Sequence, residues 1–208
     1  MAGLNEQYDV AIVGAGIAGS ALACALSVAS DSQSGQSSTS PLRIALIEAQ
    51  NLPEGWPPCE SDVNGFDPRV SALTIASQNL LERIGVWPAI ERQRISPFEQ
   101  MQVWDAEGTG EIAFDAADVR STVLGHIVEN RFTVAALGNR LRENANIQIF
   151  QGQPVADLLL ADPKKKSPEA KSQQISLADG TVIYSTLVVA ADGANSPLRK
   201  MAGLTTRE

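Results

Sequence analysis

The sequence predicts an α/β fold built on a parallel sheet, with a β-rich insertion. Three observations predict it. An apolar run, Tyr8–Val13, leads through the turn Gly14–Ala15–Gly16 into a stretch of small residues. A second apolar run, "LRIALIEA", ends in the acid Glu48. Between it and a late apolar run, "LVVAADGANSPLRK", the chain switches to alternating apolar and polar residues around Gly-rich turns. Strand, helix and strand followed by hairpin, helix and meander is the order of an α/β fold with inserted β structure.

The elements follow in order. Tyr8–Val13 is a buried strand, and a helix rich in small residues follows it. Ser30–Ser40, "SDSQSGQSSTS", is polar and of low complexity, which suits a surface loop. "LRIALIEA" is the second buried strand. A long loop from Gln50 to Pro68 leads to "RVSALTIASQNLLERIGVW". There Leu73, Ala76, Leu80, Leu81 and Ile84 fall on one helical face, with Ser71 as N-cap and Gly85 closing the C-terminus. Met101, Val103, Ile112 and Phe114 alternate about a Gly-rich turn and predict a hairpin. Trp104 and Asp105 read as a packed aromatic and a turn residue. "RFTVAALGNRLREN" predicts a helix, and Asp179–Gly180 predicts a second hairpin turn.

Composition narrows the function. A net charge of −8 disfavours nucleic acid and anionic lipid as partners. The one basic run, Pro163–Lys171, reads as a solvated loop tip. No apolar run is long enough to span a bilayer, and the N-terminus lacks the pattern of a secretory signal. The expected compartment is cytoplasmic. Cys24 reads as a core residue, Cys59 as a loop residue, and the lone His126 as structural. No metal site is expected.

Gly14, Gly16 and Gly19 form G-x-G-x-x-G between an apolar strand and a helix. The first glycine permits the tight turn, the second lets a pyrophosphate approach the backbone, and the third lets the helix pack on the sheet. Helix N-terminal N–H groups then face the phosphates. A carboxylate for the ribose is expected about 20 residues on. Glu48 lies 29 residues after Gly19, and removing the eleven-residue Ser/Gln insert brings the spacing to 18. At the late run, Asp192 and Gly193 follow an apolar strand, where ligands bind in such sheets. Ser196 and Pro197 then suit the cap and first turn of a helix.

The two motifs in this order resemble the FAD-dependent aromatic hydroxylases of the para-hydroxybenzoate hydroxylase superfamily. "FDPRVSALTIASQNLLERIGVW", "MQVWDAEGTGEIAFDA" and "GHIVENRFTVAAL" resemble its ubiquinone-biosynthesis hydroxylases in particular. The resemblance implies a Rossmann-like FAD-binding fold of the glutathione-reductase type. Residues 1–95 and 131–208 would be two parts of the FAD-binding domain, and 96–130 the start of a substrate-binding β region. It implies cofactor contacts from Gly14, Ala15, Gly16, Gly19, Glu48, Asp192 and Gly193, with Arg69 near the pyrophosphate and flavin. Asn130 would lie on the flavin side, and Val155 would offer backbone contacts to the adenine. It further implies a monooxygenase that uses FAD, NADH or NADPH, and O₂. The substrate would be a polyprenylated phenol or benzoquinol, with ring position C5 favoured over C6. A prenylated substrate also implies peripheral work at the inner membrane, or handover from other ubiquinone-biosynthesis proteins. No catalytic acid, base or nucleophile is assigned. The family continues past the equivalent of residue 208 to a later Gly-Asp motif. The chain is therefore expected to correspond to an N-terminal part, inactive by itself. Two other functions fit the residues: a non-catalytic nucleotide-binding or assembly subunit, and a related flavoenzyme such as an epoxidase or prenyl reductase.

Overall fold

In a computed structural model, residues 6–34, 40–59, 65–161 and 172–205 are described. The Lys-rich run at Pro163–Lys171 lies outside them, apart from its neighbouring strands. The chain divides into two compact units, residues 1–54 with 137–208 and residues 55–136.

The first unit is built on a six-stranded sheet in the order β8-β2-β1-β11-β10-β9. These strands are β1 (Glu6–Val13), β2 (Ile44–Glu48), β8 (Ile147–Gln151), β9 (Val155–Leu159), β10 (Gln173–Leu177) and β11 (Val182–Ala190). β8, β2, β1 and β11 run parallel, and β10 and β9 extend the sheet as an antiparallel meander. The meander turns at Gly180, whose φ of +88° is the left-handed conformation expected of Asp-Gly. Val10–Val13 of β1 and Ile44–Ile47 of β2 are unbroken apolar runs because a parallel sheet is covered on both faces. Ile12, Ile44, Ala45 and Leu46 are fully buried. Helix α1 (Ile17–Ser34) packs against β1 and β2 through small residues, with Ala23, Cys24 and Ser27 fully buried.

α1 runs to Ser34, so the polar insert begins as helix, not as the surface loop that its composition suggested. Residues 35–39 lie outside the described residues. A polar network closes the base of this excursion. Ser27 Oγ donates to the side-chain oxygens of Asn144 and Asn146. Asn146 Nδ2 donates to Ser30 Oγ at 3.4 Å and to the Leu42 carbonyl at 3.1 Å.

The second unit has a three-stranded antiparallel sheet, β3-β7-β4, and a separate hairpin, β5-β6. β3 spans Val70–Thr74, β4 Ile95–Phe98, β5 Gln100–Trp104, β6 Glu111–Asp115 and β7 Gly125–Glu129. Two helices follow β3, α2 (Ile75–Arg83) and α3 (Trp87–Glu91). Residues 70–74 alternate in exposure and pair with β7, so Leu73 is in a strand and Ser71 does not cap a helix. The N-cap is Thr74, whose hydroxyl accepts from Ser77 N. Leu81 and Ile84 are buried as the helical stripe predicts, whereas Leu80 is 45% exposed. Gly85 follows the helix with φ of +75°. Trp87 is buried and its ring lies 5.2 Å from that of His126, in keeping with a structural histidine. Trp104 is 68% exposed and is not the packed aromatic expected.

Residues 55–95, read from sequence with the first cofactor-binding segment, pack with 96–136 because β3 and β4 both pair with β7. Helix α4 (Asn130–Glu143) carries the chain back to the first unit, and a short helix α5 (Pro197–Met201) follows β11.

Candidate dinucleotide site

Strand register brings the two motifs together. Ile47 of β2, Val13 of β1 and Ala190 of β11 lie side by side. The residues that follow each strand therefore emerge at one end of the sheet: Glu48, Gly14 and Ala191–Asp192. Two hydrogen bonds continue this alignment past the strands, Gly14 N to Ile47 O at 2.8 Å and Ala191 N to Val13 O at 2.7 Å. After β8, Gln153 N donates to the Glu48 carbonyl, which brings Val155 to the same end. The result is a cleft of about 440 Å³ lined by Gly14, Gly16, Glu48, Val155, Asp192 and Gly193, among others.

The three motif glycines have distinct surroundings. At Gly14, with φ of +102°, a Cβ would lie 2.4 Å from the Ala191 carbonyl oxygen. This glycine permits the turn and also lets the first motif pass directly over the second. At Gly19 a Cβ would lie 1.9 Å from the Gly14 oxygen, so the helix closes onto the turn itself. At Gly16 a Cβ would meet nothing within 4 Å. The backbone there faces open space in the cleft, where a pyrophosphate can approach. The residues present thus fit a dinucleotide: an unobstructed glycine backbone, the start of α1, and carboxylates at the ends of the two strands that flank β1.

Glu48 is more engaged than the sequence suggested. One carboxylate oxygen accepts from Ala15 N at 2.7 Å and the other from Gln50 N at 3.1 Å. It is not simply free for a ribose; it also ties the second strand to the glycine turn. Each oxygen keeps a further lone pair for a ligand hydroxyl. Ser20, buried in α1, donates to the Ala15 carbonyl and so fixes the next peptide, on the other side of the same residue. Asp192 Oδ2 accepts from Leu198 N at 3.0 Å, while Oδ1 is buried with no protein partner among the described residues. Ser196 caps α5 by accepting from Arg199 N, with Pro197 at the first position, as expected. Gly193 has φ of +89°, which lets the chain turn from Asp192 into that cap.

Two other expected contacts lie in the second unit. Asn130 begins α4, and its side-chain oxygen accepts from Ser71 Oγ at 2.6 Å. Arg69 precedes β3 with its side chain 80% exposed. Among the described residues its charged partner is Asp67, 3.5 Å away. The Arg69 backbone N–H is the main cause holding the Asp67 carboxyl below its ordinary value. Sequence reasoning passed over Glu129, Arg94 and Arg131, which meet beside this loop. A glutamate closing the apolar strand "GHIVE", as Glu48 closes "IALIE", was the available signal.

No family model matches the chain. Among curated proteins it is 32% identical to the 3-demethoxyubiquinol 3-hydroxylase of Escherichia coli over 200 residues, 96% of this chain and 45% of that protein. It is 30% identical to the mitochondrial ubiquinone biosynthesis monooxygenase COQ6 of Danio rerio, over 97% of this chain and 40% of that protein. Over nearly its whole length the chain is thus similar to ubiquinone-biosynthesis hydroxylases. It spans less than half the length of these relatives. The fold agrees with that of flavin-dependent monooxygenases. A p-nitrophenol 4-monooxygenase, PnpA, from Pseudomonas putida DLL-E4 superposes with a TM-score of 0.65 at 20% identity, covering 96% of this chain and 45% of that one. The flavin-dependent monooxygenase PieE, solved with FAD and substrate, superposes at 0.66 and 16% identity, covering 95% and 32%. Among the described residues, no helix is long and apolar enough to cross a membrane.

Proposed function

We propose that the cleft at the ends of β1, β2 and β11 binds the ADP portion of FAD. We further propose that the protein to which this chain corresponds is an FAD-dependent monooxygenase of ubiquinone biosynthesis. The observation that carries the proposal is the open backbone at Gly16, facing a cleft flanked by Glu48 and Asp192. In this reading the α1 N-terminus and the Gly14–Gly16 backbone hold the pyrophosphate. Glu48 accepts from ribose hydroxyls, Val155 offers backbone contacts near the adenine, and the unpartnered Asp192 Oδ1 takes a ligand hydroxyl. Arg69 and Asn130 serve the flavin side. Bound FAD, reduced by NADH or NADPH, would supply the activation of O₂ for ring hydroxylation. The substrate proposed is a polyprenylated phenol or benzoquinol, with C5 as the favoured position. The relatives' names support the pathway, and the monooxygenase fold supports the cofactor.

The test is a titration of the 208-residue chain with FAD, followed by flavin absorbance and fluorescence, with ADP as competitor. A perturbed flavin spectrum reversed by ADP is expected. A folded chain that leaves the spectrum unchanged at every FAD concentration refutes cofactor binding by this chain.

A further inference from the structure

Glu129 ends β7 and is only 3% exposed, yet it is charged. A buried carboxylate survives only when its oxygens are fully engaged. One oxygen accepts from Arg94 Nε at 2.8 Å, with Arg94 Nη2 at 2.8 Å as well. The other accepts from Arg131 Nε at 2.9 Å and from the backbone N–H of Asp67 at 2.8 Å. Both arginines then reach the same backbone atom, the Gly65 carbonyl oxygen. Arg94 also stacks on Phe66, 3.7 Å from the ring centroid. The far end of the segment is tied by Asn130 N, which donates to the Arg69 carbonyl. Gly65, Phe66, Asp67 and Arg69 are thus all gripped by one cluster.

An ion triad centred on a buried glutamate thus holds Gly65, Phe66 and Asp67, beyond the backbone bond that Asn130 makes to Arg69. What this grip leaves outside is the Arg69 guanidinium, exposed and weakly paired. Among the described residues of this cluster, Arg69, Arg94 and Arg131 against Asp67 and Glu129 leave one positive charge, in a chain whose net charge is −8. A pocket of about 450 Å³ beside them is lined by Phe66, Asp67, Arg69 and Arg131.

We infer that Glu129 is a positioning residue: through Arg94 and Arg131 it fixes the Gly65–Arg69 loop so that the Arg69 guanidinium is held ready for an anionic group at the pocket beside it. This rests on the proposed FAD reading and adds to it the part of the chain that orients Arg69.

The test compares Glu129→Gln, Arg69→Ala and the double variant in the 208-residue chain. The first readout needs no cofactor. Limited trypsin cleavage after Arg69 is followed by mass spectrometry relative to the other arginines, and Glu129→Gln should speed it by about tenfold. The second readout is affinity for FAD beside affinity for ADP. Glu129→Gln should weaken FAD as much as Arg69→Ala does, leave ADP unchanged, and add nothing in the double variant. Arg94→Lys keeps the charge but loses the paired grip, and should move both readouts the same way if Glu129→Gln fails to fold. Unchanged relative cleavage at Arg69, or equal weakening of FAD and ADP, overturns the positioning role. Loss of FAD binding by the unaltered chain instead overturns the cofactor reading, while the cleavage readout still decides whether Glu129 holds the loop.

Discussion

A methyl group added at Gly14 would sit 2.4 Å from the Ala191 carbonyl oxygen, on a backbone with φ of +102°. Both the contact and the dihedral oppose it. Gly14→Ala should therefore destabilise the chain by about 2–4 kcal/mol, read as a lower urea midpoint. At Gly16 the same methyl meets nothing. Gly16→Ala should change stability by no more than about 0.5 kcal/mol yet weaken FAD binding, because the methyl fills space meant for phosphate. The sequence pattern identified both glycines and their separate tasks, but not that Gly14 also makes room for the second motif. That clearance depends on Ala191, which lies far along the chain and comes close only through the β1–β11 register. Thiol chemistry gives another residue-scale expectation. Burial pushes Cys24 up to about 11, while Cys59 is exposed. A thiol reagent at pH 8 should label one cysteine in the native chain and two in denaturant.

At the scale of elements, β1, β2 and β11 were legible as continuous apolar runs, and α1 and α4 as long helical stretches. The stretch Val70–Thr74 was not. "RVSALT" fits the face of a helix as well as a strand, and pairing with β7 decided for strand. The hairpin β5-β6 was legible in position but not in environment. Met101 pairs with Phe114 and Val103 with Ile112, so the four share one face, and all remain at least 37% exposed. A two-stranded hairpin of this kind is marginal by itself. Ile112→Thr should therefore leave the chain's stability within about 0.5 kcal/mol of the parent in thermal unfolding. The same change at the buried Ile12 should cost severalfold more.

At the scale of the whole molecule, the cofactor residues read from sequence divide between two units. Gly14, Gly16, Gly19, Glu48, Val155 and Asp192 belong to the first, and Arg69 and Asn130 to the second. Local motifs marked the first group. For the second, the chemistry lies in a cluster drawn from a loop, β7, α4 and Arg94, which no short window of sequence displays. Acid stability should report that cluster. Burial tends to raise the Glu129 carboxyl, but the Asp67 N–H, the Arg94 hydrogen bond and the charges of Arg131 and Arg94 outweigh it. The folded-state value is therefore lowered from 4.5. Its contribution is complete above the ordinary carboxylate range and is lost as pH falls through the lowered value. Glu129→Gln should flatten the decline in unfolding free energy below about pH 4.5, measured by urea unfolding across pH.

The amide of Asn146 bridges Ser30 on one side of the polar insert and Leu42 on the other. Whatever length of chain is spliced between those two points, its ends meet at the same fixed knot, at the opposite end of β2 from Glu48. Loop-closure entropy grows only slowly with length. The interval is thus a natural socket for grafting: an epitope or a fluorescent tag seated there would ride on the protein without disturbing the nucleotide cleft.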